Sequence, residues 1–232
     1  LDLAYKDAGQ IYGHFFVHDI FDWYGWEEES IVKVFYHLNK FDFKKVGSDL
    51  IGKIYEQYVD IIERRSKGQF YTPGEVVNYI LEGVGYRGAE IIGKRLLDPA
   101  CGSGRFLVEA ARRLVAELKY LPLSPDELIN ERVRDSFFGL DINRFACFLA
   151  EVNLLVQILD LVPKPSEKKA FSISRFHIYP ANTLIPSDDR TYRLTNMFEM
   201  DYEMAETIKA REHTPELGYD FTTGFDFIVG NP

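Results

Sequence analysis

Along the second half of the chain, short apolar runs alternate with stretches whose apolar residues recur every three or four positions. The runs at Arg95–Leu97, Phe137–Leu140, Ser172–Ile178 and Phe225–Val229 predict strands, with 104–118, 122–133 and 143–159 as helices. The middle helix is entered through Ser124-Pro125-Asp126-Glu127. Such alternation predicts an α/β fold, a doubly wound and mainly parallel sheet with right-handed crossovers. Upstream, Leu50, Ile51, Ile54, Tyr55, Tyr58, Ile61 and Ile62 make a helical stripe over 48–65. The turn-rich Gly68-Gln69-Phe70-Tyr71-Thr72-Pro73-Gly74 then opens another helix, with Pro73 at an early position. Tyr12, Phe15, Phe16, Phe21, Trp23, Tyr24 and Trp26 read as aromatic packing for a helical N-terminal region, 1–66, ahead of a domain over 67–232. Within that domain 164–169 read as a surface loop. The polar, acidic stretch 186–223 lacks a clear period and reads as an insertion.

The turn Asp98-Pro99-Ala100-Cys101-Gly102-Ser103-Gly104 joins a strand to a helix. Glycine has no Cβ to hold a ligand off the backbone. Ligands of doubly wound sheets bind outside the carboxyl ends of the strands. Asp98, Asp141 and Asn182 recur at the ends of successive strands, so they line one cleft. Asp141 is placed either to accept bonds from the two hydroxyls of a ribose or to cap the helix that follows. Asn182 either accepts from the amino group of an adenine or is a plain turn residue. A nicotinamide fingerprint fails because Leu107 stands where its third glycine belongs, and a P-loop fails for want of Gly-Lys-Ser/Thr.

Composition narrows the partners. A chain of 232 residues, 46% hydrophobic, can bury a full core. Its net charge of −9 excludes coating nucleic acid along the whole surface. The short clusters Arg64-Arg65-Ser66-Lys67, Lys94-Arg95 and Arg112-Arg113 read as solvated faces, with a local basic groove as the other reading. No apolar segment approaches the roughly 20 residues that span a bilayer, so no membrane partner is expected. Cys101 and Cys147 sit in unrelated contexts and form neither a metal-ligand pattern nor a disulfide framework. A cytoplasmic location and no metal follow as expectations.

Asp98–Gly104 resembles motif I of amino-methyltransferases that use S-adenosylmethionine. Gly68–Pro73 resembles motif X of the adenine-N6 DNA methyltransferases, in the branch where that motif precedes motif I. Gly139-Leu140-Asp141-Ile142-Asn143 is similar to motif II, Ala181-Asn182-Thr183-Leu184 to motif III, and Phe225–Pro232 to motif IV. The helix before motif X, with Ile54-Tyr55-Glu56, also resembles the large restriction-modification and phage-defence enzymes. The resemblance implies a Rossmann-like methyltransferase fold, incomplete here. It implies an S-adenosylmethionine site of Phe70, Tyr71, Thr72, Asp98, Ala100, Gly102, Gly104, Asp141, Ile142 and Asn182. Asn231 and Pro232 would accept hydrogen bonds from the amino group of a flipped adenine. DNA and specificity or restriction subunits are the implied partners.

Two departures stand out. Asn182 occupies a place where the family often has Asp, and the second proline and aromatic of motif IV are absent. With Leu1 in place of Met, they lead us to expect a piece of a longer enzyme that binds cofactor without turnover. RNA guanine-N2 methyltransferases share a similar glycine turn, and protein glutamine methyltransferases share motif IV; Gln69–Pro73 argues against both. A non-catalytic scaffold that holds the cofactor is the third reading.

Overall fold

The computed structural model describes residues 2–16, 27–40, 72–163, 171–181, 183, 191–194, 206–209 and 224–231. Helices α1 (Asp2–Ile11) and α2 (Glu28–Leu38) precede α3 (Gly74–Gly83), which Pro73 starts from the N-cap position. Then come β1 (Leu96–Asp98), α4 (Arg105–Leu118), β2 (Phe137–Asp141), α5 (Arg144–Ile158) and β3 (His177–Pro180). A hairpin of β4 (Thr191–Leu194) and β5 (Glu206–Lys209) leads on to β6 (Phe227–Ile228). The proposed helix over 48–65 and the loop over 164–169 lie outside the described residues.

Strands β1, β2, β3 and β6 form one sheet in the order β3-β2-β1-β6, every pair parallel. The predicted α/β parallel sheet is therefore present. Residues alternate faces, as the two-residue period of a strand requires. Leu96, Phe137, Ile178 and Val229 join α3, α4 and α5 in the main core, while Leu140, Tyr179 and Ala181 pack with Leu97 in a smaller cluster. Helix α4 buries Leu107, Ala110, Ala111, Leu114 and Leu118 at helical spacing. Each leucine so buried contributes roughly 1.5–3 kcal/mol.

Local chemistry sets the boundaries. The Ser124 hydroxyl accepts from the Glu127 N–H, and the Glu127 carboxylate accepts from the Ser124 N–H. This reciprocal cap opens a segment that widens to a π-helix over Glu127–Val133. Asn143 caps α5 by accepting from Phe145 N and Ala146 N. One expectation is corrected. The third strand begins at His177 rather than Ser172, because the backbone before it bonds elsewhere. Ser174 N donates to the Asn130 side chain, Ser172 O accepts from it, and Ile173 N donates to Ile11 O. The stretch 186–223, read as an insertion, contains an antiparallel pair, Thr191 opposite Lys209 through Leu194 opposite Glu206.

Candidate functional site

Strand order reverses between β1 and β6: the chain builds outward through β2 and β3, then returns to the other side of β1. A crevice opens at such a switch point, at the carboxyl ends of the strands. Residues of five of the sequence motifs converge there.

The turn after β1 depends on Gly104, which has φ +87°, the left-handed region that favours glycine. A Cβ there would also lie 2.9 Å from Ala150 Cβ on α5. The turn is tied down on several sides. Cys101 N donates to Leu140 O at 2.8 Å, and Asn153 Nδ2 donates to Ser103 O at 2.9 Å. Asp98 Oδ1 accepts from Ala100 N at 3.1 Å. Burial pushes the Asp98 carboxyl up to about 7; the Ala100 N–H pulls it down and the nearby Asp141 charge adds to the rise.

Asp141 grips two loops at once. Oδ2 accepts from Gly102 N and Oδ1 from Asn143 N, each at 2.8 Å. Burial raises its pKa, and the two N–H groups oppose the rise. The cap of α5 is Asn143, so the capping role open to Asp141 in the sequence belongs to its neighbour. Ile142 stands half-exposed beside it. Thr183 donates from its hydroxyl to Pro99 O at 3.1 Å, bringing the end of β3 to the same turn.

On the other side, Val229 N donates to Leu97 O at 2.9 Å. A Cβ on Gly230 would lie 2.7 Å from Asp98 Oδ1, so only a bare backbone fits against that carboxylate. The next residue, Asn231, donates from Nδ2 to the Thr72 hydroxyl at 3.2 Å. Thus Thr72, Asp98, Ala100, Gly102, Gly104, Asp141, Ile142 and Asn231 come together around one edge. Phe70, Tyr71, Asn182 and Pro232, the other expected site residues, lie outside the described residues.

Sequence reasoning missed several contributors. Asn153 and Glu151 are buried polar residues on the otherwise apolar inner side of α5, a mismatch visible in the sequence. Thr183 was inside motif III without an assigned task. The separate contexts expected for Cys101 and Cys147 are also corrected. The turn after β1 packs on α5, so the Cys101 thiol meets that of Cys147; their contact, with burial, pushes the Cys101 thiol well above its usual range.

The residues present suit an adenosine cofactor. Two glycines with positive φ leave the turn bare, and a hydrogen-bonded acidic side chain stands at the tip of the next strand. The family model described as N-6 DNA Methylase matches residues 46–232. The chain belongs to this family. It is similar to the type I restriction enzyme MjaIX methylase subunit of Methanocaldococcus jannaschii, 31% identical over 130 residues. That alignment covers 53% of this chain and 20% of the relative. The adenine-specific methyltransferase PglX of Streptomyces coelicolor is 29% identical over 199 residues, covering 80% of this chain and 16% of the relative. The type I restriction enzyme EcoEI methylase subunit of Escherichia coli is 26% identical over 126 residues, 53% of this chain and 24% of the relative. The chain thus spans about a quarter or less of the length of these relatives. No helix among the described residues is long and apolar enough to cross a membrane.

Proposed function

We propose that this chain forms the cofactor-binding part, and the start of the catalytic motif, of an enzyme that methylates adenine N6 in double-stranded DNA. The setting is restriction-modification or phage defence in the cytoplasm, with specificity or restriction subunits as partners. The observation that carries the reading is the place of Asn231: beside the β1 turn, at the switch point, with Asp98 and Gly230 between them. Residues 67–232 would serve as the cofactor domain behind the helical region 1–66, with 186–223 as its insertion.

S-adenosylmethionine, when bound, supplies the electrophilic methyl group. Asp141 would accept the ribose hydroxyls with lone pairs left over from its two N–H bonds. Ile142 and Asn182 would meet the adenine ring. Thr72, Asp98, Ala100, Gly102 and Gly104, with Phe70 and Tyr71, would receive the methionine end. Asp98, when ionised, offers a negative charge to its ammonium group. The Asn231 side-chain oxygen and the Pro232 carbonyl would accept from the target amino group. That favours a pyramidal nitrogen whose lone pair faces the methyl, through positioning rather than covalent catalysis.

Titration calorimetry with S-adenosylmethionine tests the cofactor site. Asp141→Ala is expected to weaken binding by about 10- to 100-fold, the worth of hydrogen bonds to a charged group. Equal affinity in both proteins removes Asp141 from the site. Methyl transfer to DNA, RNA and protein substrates by the intact protein then tests the substrate class.

A further inference from the structure

We infer that Thr72 is a positioning residue, whose hydroxyl sets the Asn231 amide with its oxygen toward the target amino group. The inference rests on the methyl-transfer reading and deepens it. A primary amide presents two donors on one side and an acceptor on the other. Turned the wrong way, Asn231 would set its own N–H groups against those of the incoming amine. In the structure the Nδ2 end is occupied by Thr72 Oγ1 at 3.2 Å, across 159 residues of sequence.

Both partners are held from behind. Thr72 is 8% exposed and directly precedes Pro73, whose carbonyl accepts from Val76 N and Val77 N at the start of α3. Val77 anchors that helix in the core. Asn231 follows Val229 and Gly230, the first bonded to β1 and the second pressed against Asp98. The hydrogen bond therefore spans two fixed pieces of backbone, with only the Asn231 side-chain torsions left to set. By resemblance Thr72 belongs to the methionine end; its hydroxyl oxygen nonetheless accepts a hydrogen bond from the amide. A residue serving the cofactor alone would act on cofactor affinity, and one serving the amide would act on turnover.

The test uses Thr72→Val, which keeps the shape and loses the hydroxyl, and Thr72→Ser, which keeps the hydroxyl. In the intact protein Thr72→Val is expected to lower kcat about tenfold, with KM for S-adenosylmethionine changed by less than about twofold. Thr72→Ser is expected to restore turnover to within about threefold. A raised KM at unchanged kcat, or no recovery in Thr72→Ser, overturns the inference. A second readout needs no variant of Thr72. With selectively ¹⁵N-labelled asparagine, the Asn231 side-chain NH₂ signal is identified by its loss in Asn231→Asp. One of its protons should exchange with water more slowly than those of exposed asparagines; uniformly fast exchange overturns the inference whether or not Thr72→Val folds. A protected amide in a wild-type protein that transfers no methyl to DNA would instead bring down the methyl-transfer reading, and the role with it.

Discussion

Asp98 is ionised only against the resistance of its surroundings. Its ordinary pKa of 3.8 rises to about 7 in the fold, chiefly through burial. Between those values the folded state keeps a proton that the unfolded chain has already released. Stability therefore falls as pH rises from about 4 to 7 and levels off above, a total of order 4 kcal/mol. Asp98→Asn should lose most of that slope, as followed by thermal unfolding from pH 4.5 to 8. Gly104→Ala acts through a different cause. A left-handed alanine and a 2.9 Å approach to Ala150 together should cost on the order of 3 kcal/mol, read as a lower Tm. Both residues were legible in the sequence because each lies within the seven-residue turn that signals the site. The Thr72–Asn231 bond and the Cys101–Cys147 contact were not, since only the assembled fold brings those partners together.

At the scale of the element, cap and strand boundaries reflect where backbone groups find partners. Asn143 was read inside the coming helix, while its side chain caps two N–H groups. Asn143→Ala should cost about 1 kcal/mol by denaturant unfolding. Strand β2 was legible from its apolar run; the late start of β3 was not, because Asn130 and Ile11 take the backbone that would have extended it. On β3, His177 stacks on Phe138 at 4.7 Å between ring centres and bonds to Asp135 and Tyr179. Burial lowers its pKa below 6.5, against the Asp135 hydrogen bond. The unfolded chain thus takes up this proton first, and stability is lost as pH falls through 6.5. That slope opposes the one from Asp98, so the comparison belongs in the Asp98→Asn background. There His177→Phe should flatten the acid side, at the expense of stability at pH 7.5.

Across the whole molecule, the N-terminal helix is stitched to the sheet domain. Tyr12 donates to Glu151 at 2.8 Å, Glu151 also faces Arg175, and Ile173 N donates to Ile11 O at 2.6 Å. Burial and the Glu151 charge hold the Tyr12 phenol well above its usual range, so it remains a donor. Tyr12→Phe leaves the buried carboxylate short of one bond and should cost about 1–3 kcal/mol. A lower Tm and faster proteolytic release of the N-terminal residues would register it. The sequence offered the aromatics of this region as packing bulk, and Tyr12 and Phe15 do pack against the domain. The hydrogen-bonding task of Tyr12 depends on a glutamate 139 residues away.

The sheet order also carries a timetable. Strand β1 pairs with β6, and Leu97 meets Ile228 about 130 residues later. A ribosome adding about 5–20 residues per second needs on the order of 10 s to make that interval. For that time one edge of β1 has no permanent neighbour. The newborn chain thus passes through a stage at which β1, β2 and β3 are available to pair while Asn231 does not yet exist, so the residues read as the cofactor site are made before the residue read as catalytic.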